Sequence, residues 1–368
     1  MSIELSLLMK EQPAPTNMFW RGEMPNLKTA AQRVGSPTRI AIYGDSNACG
    51  QGGGTGTNGT IDARKNSWPV KMANTLGWQD GSFFGDSNLK AISETVSGYD
   101  PRISLGSFSA GSLSIPGGCF LTCVGASSSN LVFTPATNSD TIKVWYPTTS
   151  SATNSFQIIV DGITKATLSQ ASANSMKFEL INVTLGQHVI EIKNIGSGTC
   201  FIMGIETYNS QNASPVLLIT SFLGSSLINL STTSSTSPWT HLSGLLGLRP
   251  DVVITHCTIN DISSGNPTQD SLTNITTINH SLSTINCDVV NTVSFPFFND
   301  GATDGRLDLY KNVLLNNAIT LRGSFADFRA VCGGTFTFSQ KMGYTFNSNH
   351  PNALGYQTMA NFISKIFQ

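Results

Sequence analysis

The sequence has little charge, and the few charged groups balance. Asp, Glu, Lys and Arg make up 12% of its 368 residues, about half of the usual share of roughly 25%. Lys and Arg number 21 against 22 Asp and Glu, which leaves a net charge of −1 at pH 7. A nucleic-acid-binding surface needs an excess of basic groups. We therefore expect no nucleic-acid partner.

Long apolar runs are also missing. No stretch reaches the roughly 18 apolar residues of a membrane-spanning helix, so we expect no membrane partner. The first fifteen residues hold one short apolar run, Leu5 to Met9, followed by Lys10 and Glu11. That pattern is too short and too acidic for a classical signal peptide. The compartment stays open, and the composition fits an extracellular setting.

Cysteine pairs with metal-ligand spacing are absent. The seven cysteines lie scattered at positions 49, 119, 123, 200, 257, 287 and 332. Only Cys119 and Cys123 are close, and no histidine or second pair stands at zinc-ligand spacing. We expect buried thiols for most of them and no metal site.

Neutral polar residues take the place of the missing charge. Hydrophobic residues make up 39% of the chain, and glycine alone contributes 34 residues. This hydropathy is too high for a disordered chain. A surface rich in Ser, Thr and Asn is typical of β-rich proteins that meet sugars or work outside a cell.

Three patterns divide the chain. Residues 1–35 show no regular pattern, which predicts an extended N-terminal arm. Over 36–102 and 211–368, short apolar runs alternate with helical patterns, which predicts an α/β domain with a doubly wound parallel sheet. Between them, residues 103–210 hold short alternating runs separated by turn residues, which predicts an inserted antiparallel β-sandwich.

The individual elements follow from the same periodicities. Strands are predicted at 39–43, 131–133, 141–146, 155–160, 177–183, 188–193, 200–207, 216–220, 251–255 and 289–294. Helices are predicted at 66–76, 239–248, 269–285, 306–321 and 352–366.

A serine follows the first predicted strand of the α/β pattern. Ser46 stands in Gly44-Asp45-Ser46-Asn47, just before a glycine-rich loop at 50–59. The carboxyl end of a parallel strand is where ligands and nucleophiles lie in α/β proteins. We expect a structural role for Asp45, in bonding the turn amides. The same four letters recur at residues 85–88 without a clear strand before them, and we interpret that copy as a loop coincidence.

Two further polar groups complete a recognisable order. Asn260 stands at the end of the strand predicted at 251–255, and His350 comes just before the last predicted helix. Over residues 36–76 and 214–368 the chain resembles the SGNH (GDSL-type) hydrolases. The resemblance implies a flavodoxin-like sheet, Ser46 as nucleophile and His350 as base. It also implies an oxyanion site formed by the Ser46 amide, Gly224 and Asn260, with no metal or cofactor.

The chain departs from the family's pattern at two positions. The family usually has glycine two residues before its third-block asparagine, where this chain has Thr258. The family's acid lies three residues before the histidine, where this chain has Asn347. Three interpretations stay open: Asn347 orients His350 in a Ser–His dyad, an acid comes from Asp304 or Asp327, or activity has been lost.

The resemblance suggests a class of reaction and a class of substrate. We expect a serine esterase that removes acyl groups, acetyl by preference, from an O-acylated polysaccharide or a small ester. Family members with inserted β-sandwiches include phage tail deacetylases, so a homo-oligomer or a virion component is an open alternative. The rival functions are a lipase or thioesterase of the same family, and a catalytically inactive glycan-binding protein.

Some residues have two interpretations. Trp145, Tyr146 and Tyr208 in the predicted insert could stack on sugar rings, although core packing is the more common role of such side chains. His256 lies in the strand before Asn260 and could face the site, although most histidines at such positions are satisfied strand residues.

Overall fold

The computed structural model describes residues 18–92, 94–256, 259–263, 268–296 and 301–368. The strands are β1 Phe19–Trp20, β2 Arg39–Gly44, β3 Phe83–Phe84, β4 Ile103–Ser104, β5 Ser109–Ile115, β6 Gly118–Val124, β7 Leu131–Phe133, β8 Ser139–Thr148, β9 Ser155–Val160, β10 Ile163–Ser169, β11 Ser175–Gly186, β12 Ile190–Asn194, β13 Thr199–Ile202, β14 Gly204–Tyr208, β15 Val216–Ile219, β16 Val252–His256, β17 Asp288–Val293 and β18 Ser324–Asp327. The α-helices are Pro25–Ala30, Ser46–Cys49, Ala63–Asn66, Trp68–Leu76, Val96–Tyr99, Leu227–Leu230, His241–Leu248, Ile259–Ser263, Thr268–Ser283, Gly301–Thr320, Phe328–Val331, Phe336–Lys341 and Ala353–Ile363. Two short 3₁₀ helices span Leu89–Ile92 and Ser364–Ile366.

One six-stranded sheet holds the strands of the α/β pattern, in the order β1-β18-β17-β16-β2-β15. All neighbours in it run parallel except β1, which pairs antiparallel with β18. Counted along the chain, the five parallel strands have the order 2-1-3-4-5. In a sheet of this order the topological switch point, where ligands bind, lies between the first and third strands. Here those strands are β2 and β16.

The parallel strands are apolar on both faces because helices cover both faces. In β2, Ile40 and Ile42 pack into one core, which contains the helix Ala353–Ile363. Ala41 and Tyr43 pack into a second core with residues of the helix Thr268–Ser283. This alternation is the two-residue period of a strand. It explains why the strand appears in the sequence as an unbroken apolar run.

The middle of the chain forms antiparallel strands in three smaller sheets. Their orders are β10-β9-β12-β7-β4, β11-β8-β14-β3 and β13-β6-β5. Side chains of the first two sheets share one core, which contains Phe133 and Phe156 from one and Ile142 and Val144 from the other. The strand β3, which precedes residue 103, also joins this region. The predicted boundaries 103–210, and a separate β-sandwich domain within them, stay predictions.

The three aromatic residues considered for sugar stacking lie in the core. Trp145, Tyr146 and Tyr208 are only 4–5% exposed. Tyr146 packs edge-on against Phe156, with 5.2 Å between ring centroids. Their ring faces are therefore used for packing within the protein.

The N-terminal residues are more regular than the sequence suggested. Residues 1–17 lie outside the described part, but β1 adds an edge strand to the large sheet. The helix Pro25–Ala30 then follows, which corrects the expectation of an irregular arm up to residue 35. Asp288 stabilises its first turn by accepting hydrogen bonds from the Leu27 amide at 2.8 Å and from Asn26 Nδ2 at 2.9 Å. This contact with Asp288 stabilises a helix that is too short to be stable by itself.

No disulfide joins the six cysteines of the described residues. Cys49, Cys123, Cys200, Cys287 and Cys332 are buried, which confirms the sequence expectation for most of them, and Cys119 is partly exposed. Within the described ranges, no group of three or more His, Cys, Asp or Glu is placed to hold a metal ion. No helix among those residues is long and apolar enough to cross a bilayer.

Candidate active site

Ser46 lies where the sheet order places a ligand site. Strand β2 ends at Gly44, and Ser46 begins the short helix Ser46–Cys49. Asp45 caps that helix, since its side chain accepts a hydrogen bond from the Asn47 amide at 2.9 Å. The Asp45 amide donates to the carbonyl of His256 on the neighbouring strand, at 3.0 Å. Asp45 thus holds the turn that carries Ser46, as the sequence predicted.

His350 approaches Ser46 from the other end of the chain. Its Nε2 lies 2.9 Å from Ser46 Oγ, across 304 sequence positions. The glycine-rich loop makes room for this approach: a Cβ at Gly52 would lie 2.4 Å from the Pro351 carbonyl and 3.0 Å from His350 Cβ. Gly52 also has φ +92°, which favours glycine. The loop thus lets the histidine segment pack directly beside the serine.

Asn347 holds the other nitrogen of the imidazole. Its Oδ1 lies 3.0 Å from His350 Nδ1 and also accepts the backbone amides of Asn349 and His350, each at 2.9 Å. Two backbone donors require an acceptor at that position, so the amide oxygen, not the nitrogen, faces the ring. Nδ1 therefore carries the proton, and the Nε2 lone pair points to the serine.

Burial sets the charge state of this histidine. Desolvation of the half-buried ring lowers the pKa of His350 to about 4. A buried imidazole loses more hydration as a cation than as a neutral ring. At neutral pH the ring is therefore uncharged and able to accept a proton from Ser46.

The segment around Gly224 is bound to the end of β2. The Phe222 amide and Ser225 Oγ both donate to the Gly44 carbonyl, at 3.1 and 2.9 Å. Gly224 itself is exposed, has φ +74° and has no atom near its missing side chain. Within the described part of the chain, its amide makes no hydrogen bond.

Asn260 lies beside this segment. Its Nδ2 donates to the Ser225 carbonyl at 2.7 Å, which leaves the second N–H of the amide group for another acceptor. The next residue, Asp261, accepts the Leu227 amide at 2.9 Å. The structure thus places Ser46 and His350 in direct contact, and it connects Asn260 through Ser225 to the end of β2, two residues before Ser46. Thr258 lies outside the described residues.

Asp327, one of the two alternative acids, has other partners in the described structure. Asp327 caps the helix Phe328–Val331 through the Ala330 amide and forms an ion pair with Lys311 at 2.8 Å. The side chain of Asp304 lies outside the described part. The group that contacts His350 Nδ1 is Asn347.

His256 is a core residue. Its Nδ1 lies 2.7 Å from Thr292 Oγ1, and its ring packs against Trp68 and Phe328. Burial lowers its pKa to about 3. These contacts fit the interpretation of a packed strand histidine.

Two groups near the site were not found by sequence reasoning. Tyr356 donates its hydroxyl to the Gln51 carbonyl at 2.6 Å, which fixes the start of the glycine-rich loop. Asn88, in the second copy of the four-letter motif, donates to the Leu223 carbonyl at 3.0 Å. The repeated motif was a signal for Asn88, but it carried no indication of what the side chain binds.

The chain resembles several solved structures of esterases, at low similarity. An acetylxylan esterase from Geobacillus stearothermophilus (a catalytic mutant) is 13% identical, with 42% of this chain and 73% of that chain covered and a TM-score of 0.35. A family two carbohydrate esterase from Cellvibrio japonicus is 13% identical, with 78% and 96% covered and a TM-score of 0.31. A putative lipolytic protein of the G-D-S-L family from Desulfitobacterium hafniense is 10% identical, with 89% and 99% covered and a TM-score of 0.40. No family model and no curated protein matches the chain.

Proposed function

We propose that the chain is a serine ester hydrolase in which Ser46 is the nucleophile and His350 the general base. The observation that carries this proposal is the 2.9 Å contact between Ser46 Oγ and His350 Nε2. A serine hydroxyl is a weak nucleophile at neutral pH and needs a base within hydrogen-bond reach. The lowered pKa of His350 keeps that base unprotonated.

The reaction proceeds through an acyl-enzyme. Ser46 Oγ bonds to the ester carbonyl carbon while its proton moves to His350 Nε2. The carbonyl oxygen becomes an oxyanion, which the amides of Ser46 and Gly224 and the side chain of Asn260 stabilise. The carbon–oxygen bond to the leaving alcohol breaks, and His350 returns the proton to that alcohol. Water, activated in turn by His350, then hydrolyses the acyl-enzyme and regenerates Ser46.

Each oxyanion donor supplies part of the rate. One donor of this kind contributes roughly 10²–10³ in kcat. The proposed oxyanion donors are two backbone amides and an asparagine side chain. Neutral dipoles, not charged groups, would therefore stabilise the developing negative charge. These steps require no metal or cofactor.

Asn347 takes the place that an acid occupies in related chemistry. It fixes the ring orientation and the Nδ1–H tautomer through Oδ1. It adds no charge to stabilise the imidazolium that forms during attack. We therefore propose a Ser–His dyad oriented by an amide, active but slower than a triad with a carboxylate.

The narrower proposal concerns the substrate. Acetylated carbohydrate is the substrate class that the family resemblance of the sequence suggests, and the neutral polar composition fits it. It remains a proposal, as do a virion location and an oligomeric assembly. A lipase or thioesterase is the rival function, and the acyl chain length separates them. A small acyl pocket excludes long chains, so an acetylesterase loses activity from acetyl to octanoyl esters, whereas a lipase gains it.

Hydrolysis of p-nitrophenyl acetate by the wild type, Ser46→Ala and His350→Ala tests the mechanism. We expect both variants to lose activity to near the background rate, because each removes one member of the dyad. Full activity in Ser46→Ala would overturn the proposal. Acetate release from a panel of O-acetylated polysaccharides, with Ser46→Ala as the matched control, then tests the carbohydrate class. An inactive wild type on every ester tested would favour the glycan-binding alternative.

A further inference from the structure

We propose that Asn88 is a positioning residue that fixes the peptide carrying the oxyanion-binding amide of Gly224. This inference rests on the proposed function, since it assigns Gly224 to the oxyanion site. The observation behind it is a hydrogen bond from Asn88 Nδ2 to the Leu223 carbonyl at 3.0 Å.

The Leu223 carbonyl and the Gly224 amide belong to one peptide unit. That unit is planar and trans, so its C=O and N–H point in opposite directions. A donor that holds the carbonyl therefore also fixes the direction of the N–H. Asn88 binds one end of this unit and leaves the other end, the Gly224 N–H, without an acceptor among the described residues.

This peptide needs such a constraint because of the glycine that follows it. Gly224 has φ +74° and no contact at its Cβ position. Glycine populates positive and negative φ about equally readily, so nothing in residue 224 itself prevents rotation of the preceding peptide. The neighbouring residue is held on its other side as well: the Leu223 amide donates to the Ser87 carbonyl at 3.0 Å.

The loop that presents Asn88 is itself rigidly held. Asp86 Oδ1 accepts the amides of Asn88 at 2.8 Å and Cys119 at 2.7 Å. The Ser87 amide donates to the Gly117 carbonyl at 2.7 Å. Asp86 is fully buried and Ser87 is 4% exposed. The loop is thus tied to the turn between β5 and β6, and it can act as a fixed support for the Gly224 peptide.

The backbone of Asn88 restricts which substitutions test this role. Ser87 and Asn88 have φ +54° and +56°, a region that Gly, Asn and Asp tolerate better than other residues. Asn88→Gly removes the donor and keeps the backbone. Asn88→Asp keeps the shape but places a carboxylate, which cannot donate, against the Leu223 carbonyl.

We expect Asn88→Gly to lower kcat on p-nitrophenyl acetate about 10- to 100-fold, a part of the roughly 10²–10³ that a whole oxyanion donor contributes. KM should stay within about 2-fold, because the lost interaction is made in the transition state. Asn88→Asp should lower kcat further. The acid limb of the pH profile should not move, since His350 keeps its environment.

The test includes a control variant, and different outcomes would overturn the role of Asn88 and the proposed function. Asn174 makes the same type of bond, from Nδ2 to the Thr236 carbonyl at 2.8 Å, on the surface. Asn174→Gly should leave kcat unchanged. Affinity for a boronic acid inhibitor, which mimics the tetrahedral intermediate, should fall in parallel with kcat in Asn88→Gly. Unchanged kcat and inhibitor affinity in Asn88→Gly, with Ser46→Ala inactive, would overturn the role of Asn88 alone. Full activity in Ser46→Ala would overturn the proposed function and this inference with it.

Discussion

We predict that replacing Asn347 by aspartate makes ester hydrolysis faster, because the substitution supplies the negative charge that the proposed Ser–His dyad lacks. The carboxylate can accept the three hydrogen bonds that Asn347 Oδ1 now accepts, from the backbone amides of Asn349 and His350 and from His350 Nδ1. Asn347 is exposed, so the added charge remains hydrated. The substitution therefore changes the electrostatics of the site with little change in geometry.

The size of the effect follows from the distance between the charges. Opposite charges about 4 Å apart attract by about 1 kcal/mol in water and by about 4 kcal/mol at an effective dielectric constant of about 20. Exposure of Asn347 favours the lower part of this range, about 1–2 kcal/mol. That energy corresponds to an increase in kcat of about 5- to 30-fold.

The increase is smaller than the corresponding loss in a serine protease. There, exchanging the triad aspartate for asparagine costs about 10⁴ in kcat because the amide favours the wrong tautomer. Here two backbone amides already turn the Asn347 oxygen toward the ring. Asn347 therefore lacks only the negative charge of a carboxylate, and Asn347→Asp should restore only the part of kcat that this charge contributes.

The assay is the pH dependence of kcat/KM on p-nitrophenyl acetate for the wild type and Asn347→Asp. The new carboxylate favours imidazolium and raises the pKa of His350 from its value of about 4. The acid limb should therefore move to higher pH while the plateau rises. Ser348→Asp is the matched control, since it adds the same charge to the same exposed loop at a different residue. A plateau in Asn347→Asp that is no higher than that of Ser348→Asp would refute this reasoning.

Four further results are expected. In the wild type, kcat/KM should stay level from pH 8 to about 5.5 and fall with a midpoint near the His350 pKa of about 4, as measured with short assays in buffers of constant ionic strength. Urea titrations should show a lower unfolding free energy at pH 5 than at pH 7, and His256 alone should account for about 2 kcal/mol of the difference. The folded-state pKa of His256, about 3, lies below its unfolded value, so the unfolded chain binds more protons as the pH falls. Gly52→Ala should lower kcat at least about 10-fold, because the new Cβ displaces the His350 segment. Glu206→Gln should lower the unfolding free energy by about 3–5 kcal/mol in the same titrations, since it leaves the charge of Arg39, 2.7 Å away, without its buried partner.

The parallel sheet could be predicted because burial on both faces leaves a strong pattern. Strands such as β2 and β16 are short, mainly apolar runs, and the structure confirms them within one or two residues at each end. β18 was missed because its four residues, Ser-Phe-Ala-Asp, are too few to show a period. β5 was missed because it is rich in serine and largely exposed.

One predicted strand proved to be two. Residues 200–207 form one mainly apolar run, but the chain changes sheet at Met203, between β13 and β14. The Met203 amide donates to the Trp145 carbonyl at 2.9 Å. The side chains of both halves are buried or partly buried, so the change of partner strand is not visible in the periodicity.

The site could be predicted to the extent that its residues stand at strand ends in a recognisable order. Ser46 and Asn260 follow β2 and β16, the strands on either side of the switch point. Asn88 could not be predicted, because its bond to Leu223 spans 135 positions and depends on a backbone turn with positive φ. Contacts of this kind depend on tertiary structure, and they cannot be predicted from local sequence patterns.

The central claim is that Ser46 is a nucleophile activated by His350. Its most direct test is to treat the protein with a fluorophosphonate ester, digest it and locate the adduct by mass spectrometry. The account predicts one phosphonyl group on the peptide that contains Ser46, none on the peptide that contains Ser87, and loss of labelling in His350→Ala. Labelling of a different serine, with Ser46 unmodified after complete loss of esterase activity, would contradict it.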